Sequence, residues 1–205
     1  MVLLFEGESD ADNKAFLGGA DFEKISKDWA VFVRFAHNPN RDRAPGDTAV
    51  VPVSRLLSDN PARDYDVAAG KITLVVADWH GNAYFTLTKK PTADDLKATL
   101  KKVPAKMEDA EKRLQKNLDA AKTAWEKKDR ATALKSLLKN FKEGFVGLAA
   151  QDGTTKLYHE ILDAARADLK TLQDKGDKAG LEKLAQELKG TDAAKEADEA
   201  LKGLN

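Results

Sequence analysis

The sequence predicts a mixed α/β domain followed by an all-α domain. Up to residue 103, short apolar runs rich in β-branched residues alternate with turn-forming segments, which is typical of strands. From Pro104 onward the composition changes to Ala, Lys, Glu, Leu and Asp, and apolar residues recur at helical spacing. A third observation is a run, turn and run that predict a β-hairpin leading into a helix. We therefore expect two domains, residues 1–103 and residues 104–205.

The predicted hairpin is the best-defined unit of the first domain. Residues 72–77 form a continuous apolar run, residues 78–82 favour a turn, and residues 83–88 alternate between apolar and polar. Pro91 follows where a first helical turn tolerates proline, and apolar residues then recur at helical spacing up to Val103. The sequence therefore predicts strand, turn, strand and helix in immediate succession.

Earlier segments supply the remaining elements of this domain. Residues 2–5 are apolar and precede an acidic loop, so we expect an edge strand there. Residues 14–26 predict a helix interrupted by two glycines, and residues 30–35 are apolar on both faces, which predicts a central strand. Residues 49–53 predict a further strand, since Pro52 is tolerated where no ladder hydrogen bond is needed.

The link before the hairpin has two interpretations. In the first, Asn60 and Pro61 supply an N-cap and a first-turn proline for a short helix that reaches Tyr65. In the alternative, residues 53–58 are helical instead. Residues 41–47 show no apolar periodicity, so we expect a shortened or missing helix there.

The order of these elements, and the Asp-x-x-Gly-Asn turn of the hairpin, resemble a thioredoxin-like domain. In that family an apolar strand precedes a Cys-x-x-Cys motif that opens a long helix, whereas residues 36–40 here are Ala-His-Asn-Pro-Asn. The family also places a cis-proline before Thr-Leu, opposite the redox motif, where this chain has Ile72. A non-proline cis bond costs roughly 3 to 4 kcal/mol, so we expect a trans bond. The resemblance implies a thioredoxin-like fold without the family's redox site.

The second half predicts successive amphipathic helices. One ends near Lys128, and the others cover residues 131–141, residues 155–175, a segment capped by Asp177, and an Ala-rich stretch that ends at Leu204. The short segments between these helices are spaced about one helical hairpin apart. That spacing loosely resembles tetratricopeptide repeats, although their full signature is missing, and it indicates an antiparallel helical-hairpin bundle.

Charge and composition exclude several classes of function. Lys plus Arg and Asp plus Glu both number 34, so no basic surface is indicated for nucleic acid or an anionic membrane. The chain has no cysteine, which excludes disulfides, thiolate metal sites and thiol catalysis. No apolar run is long enough to insert into a membrane, and no cofactor motif occurs. We expect a soluble chain, with an extracytoplasmic compartment slightly favoured because the abrupt apolar start suits a trimmed mature protein.

Candidate binding residues fall on three surfaces. The remodelled end of the sheet contributes His37, Asn38, Arg41 and Ile72. The hairpin turn contributes Trp79, and the apolar face of the helices contributes Trp125, Phe141 and Phe145. An exposed Trp can anchor a protein contact, although Trp79 could equally cover a sheet edge. An alternative interpretation of His37 is a solvated loop residue without a binding role. Residues 144–148 could form a peptide-docking surface or, alternatively, a helix end packed onto the domain interface.

These observations favour binding over catalysis. We expect a redox-inactive thioredoxin-like module that acts as a binding, scaffold or chaperone-like protein through contacts with other proteins. The alternative is an enzyme or thiol-independent folding factor that uses the cleft near residues 36–43. A homo-oligomer is also possible, because the helices could serve to dimerise the chain or to cover its own sheet.

Overall fold

The computed structural model describes residues 1–16, 19–38, 40, 50–68 and 70–203. They form two compact units. The first takes in the described residues of 1–48 and 53–110, and the second those of 49–52 and 111–205. The architecture is therefore a mixed α/β unit and a helical unit, as the sequence predicts at this coarse level.

A mixed sheet forms the centre of the first unit. Among the described residues it has four strands: β1 (Val2–Phe5), β2 (Phe32–Phe35), β3 (Thr73–Ala77) and β4 (Ala83–Leu87). Their spatial order is β2-β1-β3-β4, with β1 parallel to β2 and the other two pairs antiparallel. Val2 therefore lies between Phe32 and Val76. The hairpin prediction is confirmed, with a register shift between Val76 and Ala77.

The predicted positions of the first two strands in the sheet are wrong. β1 is an interior strand rather than an edge strand, since it pairs with both β2 and β3. All four of its residues are at most 2% exposed. β2 is an edge strand of the described sheet instead of a central one, and its Arg34 is exposed. Both strands are apolar, but β1 is fully buried and β2 is partly exposed, so apolar character alone did not show which strand is interior.

Helices cover the sheet and connect its strands. Between β1 and β2 lie α1 (Asp10–Phe16) and α2 (Ala20–Asp28). The predicted interruption of this helical segment is confirmed, and Gly19 precedes α2 with a φ of 115°, which favours glycine. Phe16, Phe22 and Ile25 face one side of the sheet with Leu4, Leu74 and Leu96. The other side packs Leu3, Phe5, Tyr65 and Val75 together.

In the segment before the hairpin, the structure confirms the first interpretation, a short helix capped by Asn60. Asn60 caps α3 (Pro61–Asp64), and its Oδ1 accepts the Arg63 N–H at 3.3 Å. Residues 53–58 contain only a single 3₁₀ turn, Arg55–Leu57, which Ser54 caps. The strand predicted for residues 49–53 does not form in its described part, and Val53 is 70% exposed.

A single long helix, α4 (Ala93–Glu126), follows the hairpin and contains Pro104. The change of composition at Pro104 therefore does not coincide with a break in the helix. Leu96, Val103 and Ala110 are all buried, so one apolar row of seven-residue spacing continues past the proline and keeps the helix on its core. The boundary between the residue ranges of the two compact units falls within this helix, after Ala110. The division into domains after residue 103 stays a prediction.

The second unit continues with four more helices in its described residues. They are α5 (Arg130–Glu143), α6 (Ala149–Lys175), α7 (Lys178–Glu187) and α8 (Ala194–Gly203). α5 packs on α6, α6 on α7 and α7 on α8. α6 begins six residues before the predicted start at Thr155, with Gly153 inside it. A Cβ on Gly153 would lie 2.8 Å from Leu118, so glycine permits a close contact with α4 here.

Capping residues begin and end these helices at the positions that the sequence predicts. Asp129 and Asp177 accept backbone N–H groups at 3.0 Å and 2.9 Å at the starts of α5 and α7. Gly144 and Gly176 end α5 and α6 in the left-handed conformation. The interpretation of residues 144–148 as a helix end is therefore confirmed for its first residue.

One buried polar network lies in the helical core. Asn140, which is fully buried, donates from Nδ2 to the Leu114 carbonyl at 2.9 Å and to the Thr154 hydroxyl at 2.7 Å. Its Oδ1 accepts from Asn117 at 2.8 Å. Because the amide is satisfied on both sides, it fixes the register of α4, α5 and α6 at little cost.

Candidate functional site

A cleft of about 440 Å³ opens at one end of the sheet in the first unit. β1 and β2 are parallel, so their carboxyl ends meet there, and the segment that leads into the antiparallel β3 closes the same end. Ser58 to Ala62, around the start of α3, form the opposite wall. The cleft is therefore built from backbone segments that regular structure holds in place.

The floor of the cleft is apolar and partly aromatic. Phe5 and Phe35 come from neighbouring strands and stack with ring centroids 4.8 Å apart at an angle of 12°. Leu56, Ala62 and Val67 complete the apolar surface, and the buried Tyr65 packs against Phe5 beneath it, with ring centroids 5.5 Å apart. A ligand that reaches this floor would meet an apolar surface whose aromatic rings are already packed.

The rim of the cleft carries charged and polar groups. Arg34 and Glu6 form an ion pair at the ends of β2 and β1. His37 and Asn38 follow β2, and the Asn38 Oδ1 accepts the Asn40 N–H at 3.2 Å in a local turn. Lys71 lies across the cleft from them. The rim therefore presents an acid, bases and an amide around an apolar floor.

A clamp between Gly7 and Asn13 shapes the loop after β1. The Asn13 side chain accepts the Gly7 N–H at 2.8 Å and donates to the Gly7 carbonyl at 2.9 Å. Asn13 is only 5% exposed, so both hydrogen bonds are shielded from water. The amide satisfies two backbone groups that have no strand partner, which holds the loop in one conformation.

The same loop approaches the segment before β3 closely. The Glu8 N–H donates to the Gly70 carbonyl at 3.2 Å. A Cβ on Gly7 would lie 2.8 Å from that carbonyl oxygen and 3.0 Å from the Ile72 nitrogen. Glycine at position 7 therefore allows two backbone segments to meet directly behind the cleft. The sequence analysis did not identify this contact.

The first predicted surface is assembled in part. His37 and Asn38 both line the cleft, as the sequence suggested for the end of this strand. Ile72 lies on the other side of the sheet, where it packs against the cluster of Leu4 and Phe16. Its peptide bond is trans, since the described residues contain no cis bond. Arg41 lies outside the described residues.

Trp79 lies in the hairpin turn, at the opposite end of the sheet from the cleft. Its side chain is 69% exposed. Asp78 beneath it is 3% exposed and accepts the N–H groups of His80 and Asn82 at 2.8 Å and 3.0 Å. It also accepts the Tyr84 hydroxyl at 3.0 Å. Asp78 therefore organises the turn, as the turn chemistry predicted, and Trp79 projects from a rigid support.

Tyr65 secures the same turn from below. Its hydroxyl donates to the Gly81 carbonyl at 2.7 Å, and burial raises its pKa to about 12. Gly81 has a φ of 86°, and a Cβ there would lie 2.8 Å from the Tyr65 oxygen. These contacts explain the Gly in the turn without any ligand.

The predicted residues of the helical unit are held by local contacts. The Trp125 Nε1 donates to Glu160 at 3.1 Å, and Arg130 lies 6.0 Å over its ring. Phe141 is buried and packs edge-on against Tyr158 at 5.0 Å. Phe145 is partly buried in the segment that follows α5. Trp125 and Phe141 thus belong to the packing of the helices, and Phe141 also lines a surface groove.

Within the residues that the structure describes, no three His, Cys, Asp or Glu side chains lie where they could hold a metal ion together. None of the helices in that part of the chain is both long and apolar enough to cross a membrane. Comparison of the chain with models of protein families, with curated proteins and with solved structures finds no match.

Proposed function

We propose that this chain is a redox-inactive, thioredoxin-like binding protein whose cleft at the end of the sheet accepts a segment of another protein. The observation that carries the proposal is the construction of the cleft: an apolar, aromatic floor inside a charged rim. Binding sites for peptide segments combine these features, because the floor supplies affinity and the rim supplies orientation.

The order of the elements supports the thioredoxin-like part of the proposal. A strand, a helical segment and a parallel strand precede an antiparallel hairpin and a helix. In that family the redox motif follows a strand, opens a helix and lies opposite the segment before Thr-Leu. Here the residues opposite Ile72 are Gly7 and Glu8, which follow β1 and precede α1. We therefore place the motif's position at residues 6–13 rather than at residues 36–40.

The groups at that position favour binding over catalysis. The sequence has no cysteine, so no thiolate can attack a disulfide there. The Ser9 hydroxyl accepts the Asp12 N–H at 3.3 Å, which is the geometry of a helix cap. The Asn13 amide is occupied by both polar groups of the Gly7 backbone. These side chains stabilise the loop, and the cleft beside it remains open to a ligand.

The partner segment has a chemistry that the cleft defines. An apolar side chain would contact the partly exposed Phe35, Leu56 and Val67 of the floor. Its polar neighbours would meet His37, Asn38 and Lys71 at the rim. β2 is an edge of the described sheet, so an extended segment can also pair with it. We expect an extended peptide with one central aromatic or large aliphatic residue.

Peptide display tests the proposal. Peptides selected on the immobilised protein are measured against three variants: Ala62→Trp, which fills the cleft, His37→Ala with Asn38→Ala, which changes the rim, and the control Trp79→Ala at the far end of the sheet. We expect the first to weaken binding at least about tenfold, roughly 1.4 kcal/mol, and the control to leave it unchanged. Selected peptides that bind Ala62→Trp as tightly as the natural chain would show that the cleft is not the site.

A further inference from the structure

The second unit has a groove of about 660 Å³ beside α5. Its apolar floor consists of side chains that recur at helical spacing along α5, namely Ala131, Leu134, Leu138 and Phe141. Leu134 and Phe141 are buried, and Leu138 is partly exposed to the groove. The end of α7 and the residues after it form the other wall, and Val50 adds an apolar side chain. The groove runs along α5 and shares no lining residue with the cleft of the first unit.

Cations surround this apolar floor. Four lysines line the groove: Lys135, Lys139, Lys142 and Lys189. All four are exposed, and none of their ammonium groups has an ion-pair partner among the described residues. The carboxylate that lines the groove, Glu187, is already bound by Arg130 at 3.0 Å. The groove therefore has an uncompensated positive rim, although the whole chain has a formal net charge of zero.

We propose that this groove binds an acidic amphipathic helix of a partner protein. Lys135, Lys139 and Lys142 are spaced i, i+4, i+7 along α5, so they form a row about 10 Å long at 1.5 Å per residue. The floor residues form a parallel row beside them. A helix with apolar residues on one face and carboxylates along its border presents two rows of the same spacing. Charge and shape are then complementary along the length of the groove.

Other anionic partners fit this arrangement less well. A fatty acid carries one carboxylate, which can form an ion pair with one or two of the lysines and leaves the rest of the row unpaired. A flat anionic bilayer would reach the lysines but not the concave floor between them. A nucleic acid would neutralise the lysines, but it would cover the Leu138 side chain with phosphate and sugar. The convex, apolar face of a helix satisfies both parts of the groove.

The test uses the full-length chain and a synthetic helical peptide of about 14 residues, roughly 21 Å long as a helix. The peptide carries Leu on one face and Glu along both borders, and its matched control carries Lys in place of Glu. Binding is measured by fluorescence anisotropy at low and high salt. We expect the acidic peptide to bind, the lysine peptide to bind at least about tenfold more weakly, and salt to weaken the first.

Charge-matched variants locate the site. One variant chain combines Lys135→Ala, Lys139→Ala and Lys142→Ala. A control chain combines Lys116→Ala, Lys122→Ala and Lys170→Ala, and it loses the same charge elsewhere on the unit. We expect the first triple variant to weaken peptide binding at least about tenfold and the second less than about twofold. Leu138→Asn, at a partly exposed position, should also weaken it.

Two results would overturn the proposal. One is equal loss of affinity in both triple variants, which would indicate unspecific attraction to the charge of the unit. The other is failure of the peptide to bind while phosphatidylglycerol vesicles, oleate or duplex DNA bind in a way that Lys135→Ala, Lys139→Ala and Lys142→Ala abolish. In that case the lysines recognise another anion.

Discussion

Asn13 offers a sharp test of how the loop beside the cleft is held. Asn13→Ala removes both partners of the Gly7 backbone, and both lost hydrogen bonds are buried. A buried polar group without a partner costs about 1 to 3 kcal/mol, so we expect the free energy of unfolding of the first unit to fall by about 3 kcal/mol. The effect is large because one side chain supplies both buried hydrogen bonds.

Asn13→Asp separates the two hydrogen bonds by pH. A carboxylate still accepts the Gly7 N–H, but it places a charged oxygen where the amide now donates to the Gly7 carbonyl at 2.9 Å. A protonated carboxyl can donate again, so the pKa of Asp in the folded variant should rise above its ordinary value of about 3.9. Since the folded state then holds the proton more tightly, the contribution of this group to stability is fully present below about pH 4 and is lost as the pH rises through the raised pKa.

Urea unfolding in a Trp125→Phe background measures both effects. Trp29 and Trp79 are then the remaining tryptophans, and both lie in the first unit. We expect the gap between Asn13→Asp and its parent to be smaller near pH 4 than near pH 7. The reasoning is refuted if that gap is the same at both pH values, or if Asn13→Ala costs less than about 1 kcal/mol.

Three further predictions use other contacts. Gly7→Ala would place a Cβ 2.8 Å from the Gly70 carbonyl oxygen, so it should destabilise by about 2 kcal/mol in urea unfolding, whereas Gly203→Ala, with open space around it, should not. Tyr65→Phe removes the 2.7 Å bond to Gly81 and should cost about 1 kcal/mol at neutral pH. Burial raises the pKa of Tyr65 to about 12, so the natural chain should lose stability as the pH rises from about 10 through about 12, a loss that Tyr65→Phe lacks; urea midpoints at several pH values check this. Finally, the purified chain should show no turnover in an insulin-reduction assay, because it has no cysteine; reproducible turnover free of contaminating reductase would contradict this.

The elements that sequence predicted well are those with local signals. The hairpin needs only two apolar runs and a turn, and its Asp78 makes the turn contacts that its residue type favours. Asn60, Asp129 and Asp177 accept hydrogen bonds from residues three positions later, and Gly176 adopts the left-handed conformation that its position suggests. Each of these outcomes depends on neighbours within one turn of chain.

The errors concern choices that neighbours in sequence do not decide. Residues 2–5 and β2 are both short and apolar, and either could have been the interior strand. Pairing with β3 on one side and β2 on the other makes β1 interior, and that pairing joins residues about 70 positions apart. Pro104 shows the same limit, because the composition changes there, yet burial of Leu96, Val103 and Ala110 keeps α4 continuous.

The cleft shows how these limits affect a functional interpretation. His37 and Asn38 were identified because they end an apolar strand, and the structure does place them at the rim. The loop that faces them could not be identified, since its conformation depends on Gly7 meeting Gly70 across the sheet and on Asn13 reaching back to Gly7. The sequence signals were a glycine just after a strand and an asparagine in the following helix, neither of which is specific alone. A chain without a redox motif can therefore still keep an ordered loop beside its cleft, because side-chain hydrogen bonds fix the loop. The Asn13 variants test this support of the loop, whereas the Ala62→Trp variant tests the cleft itself.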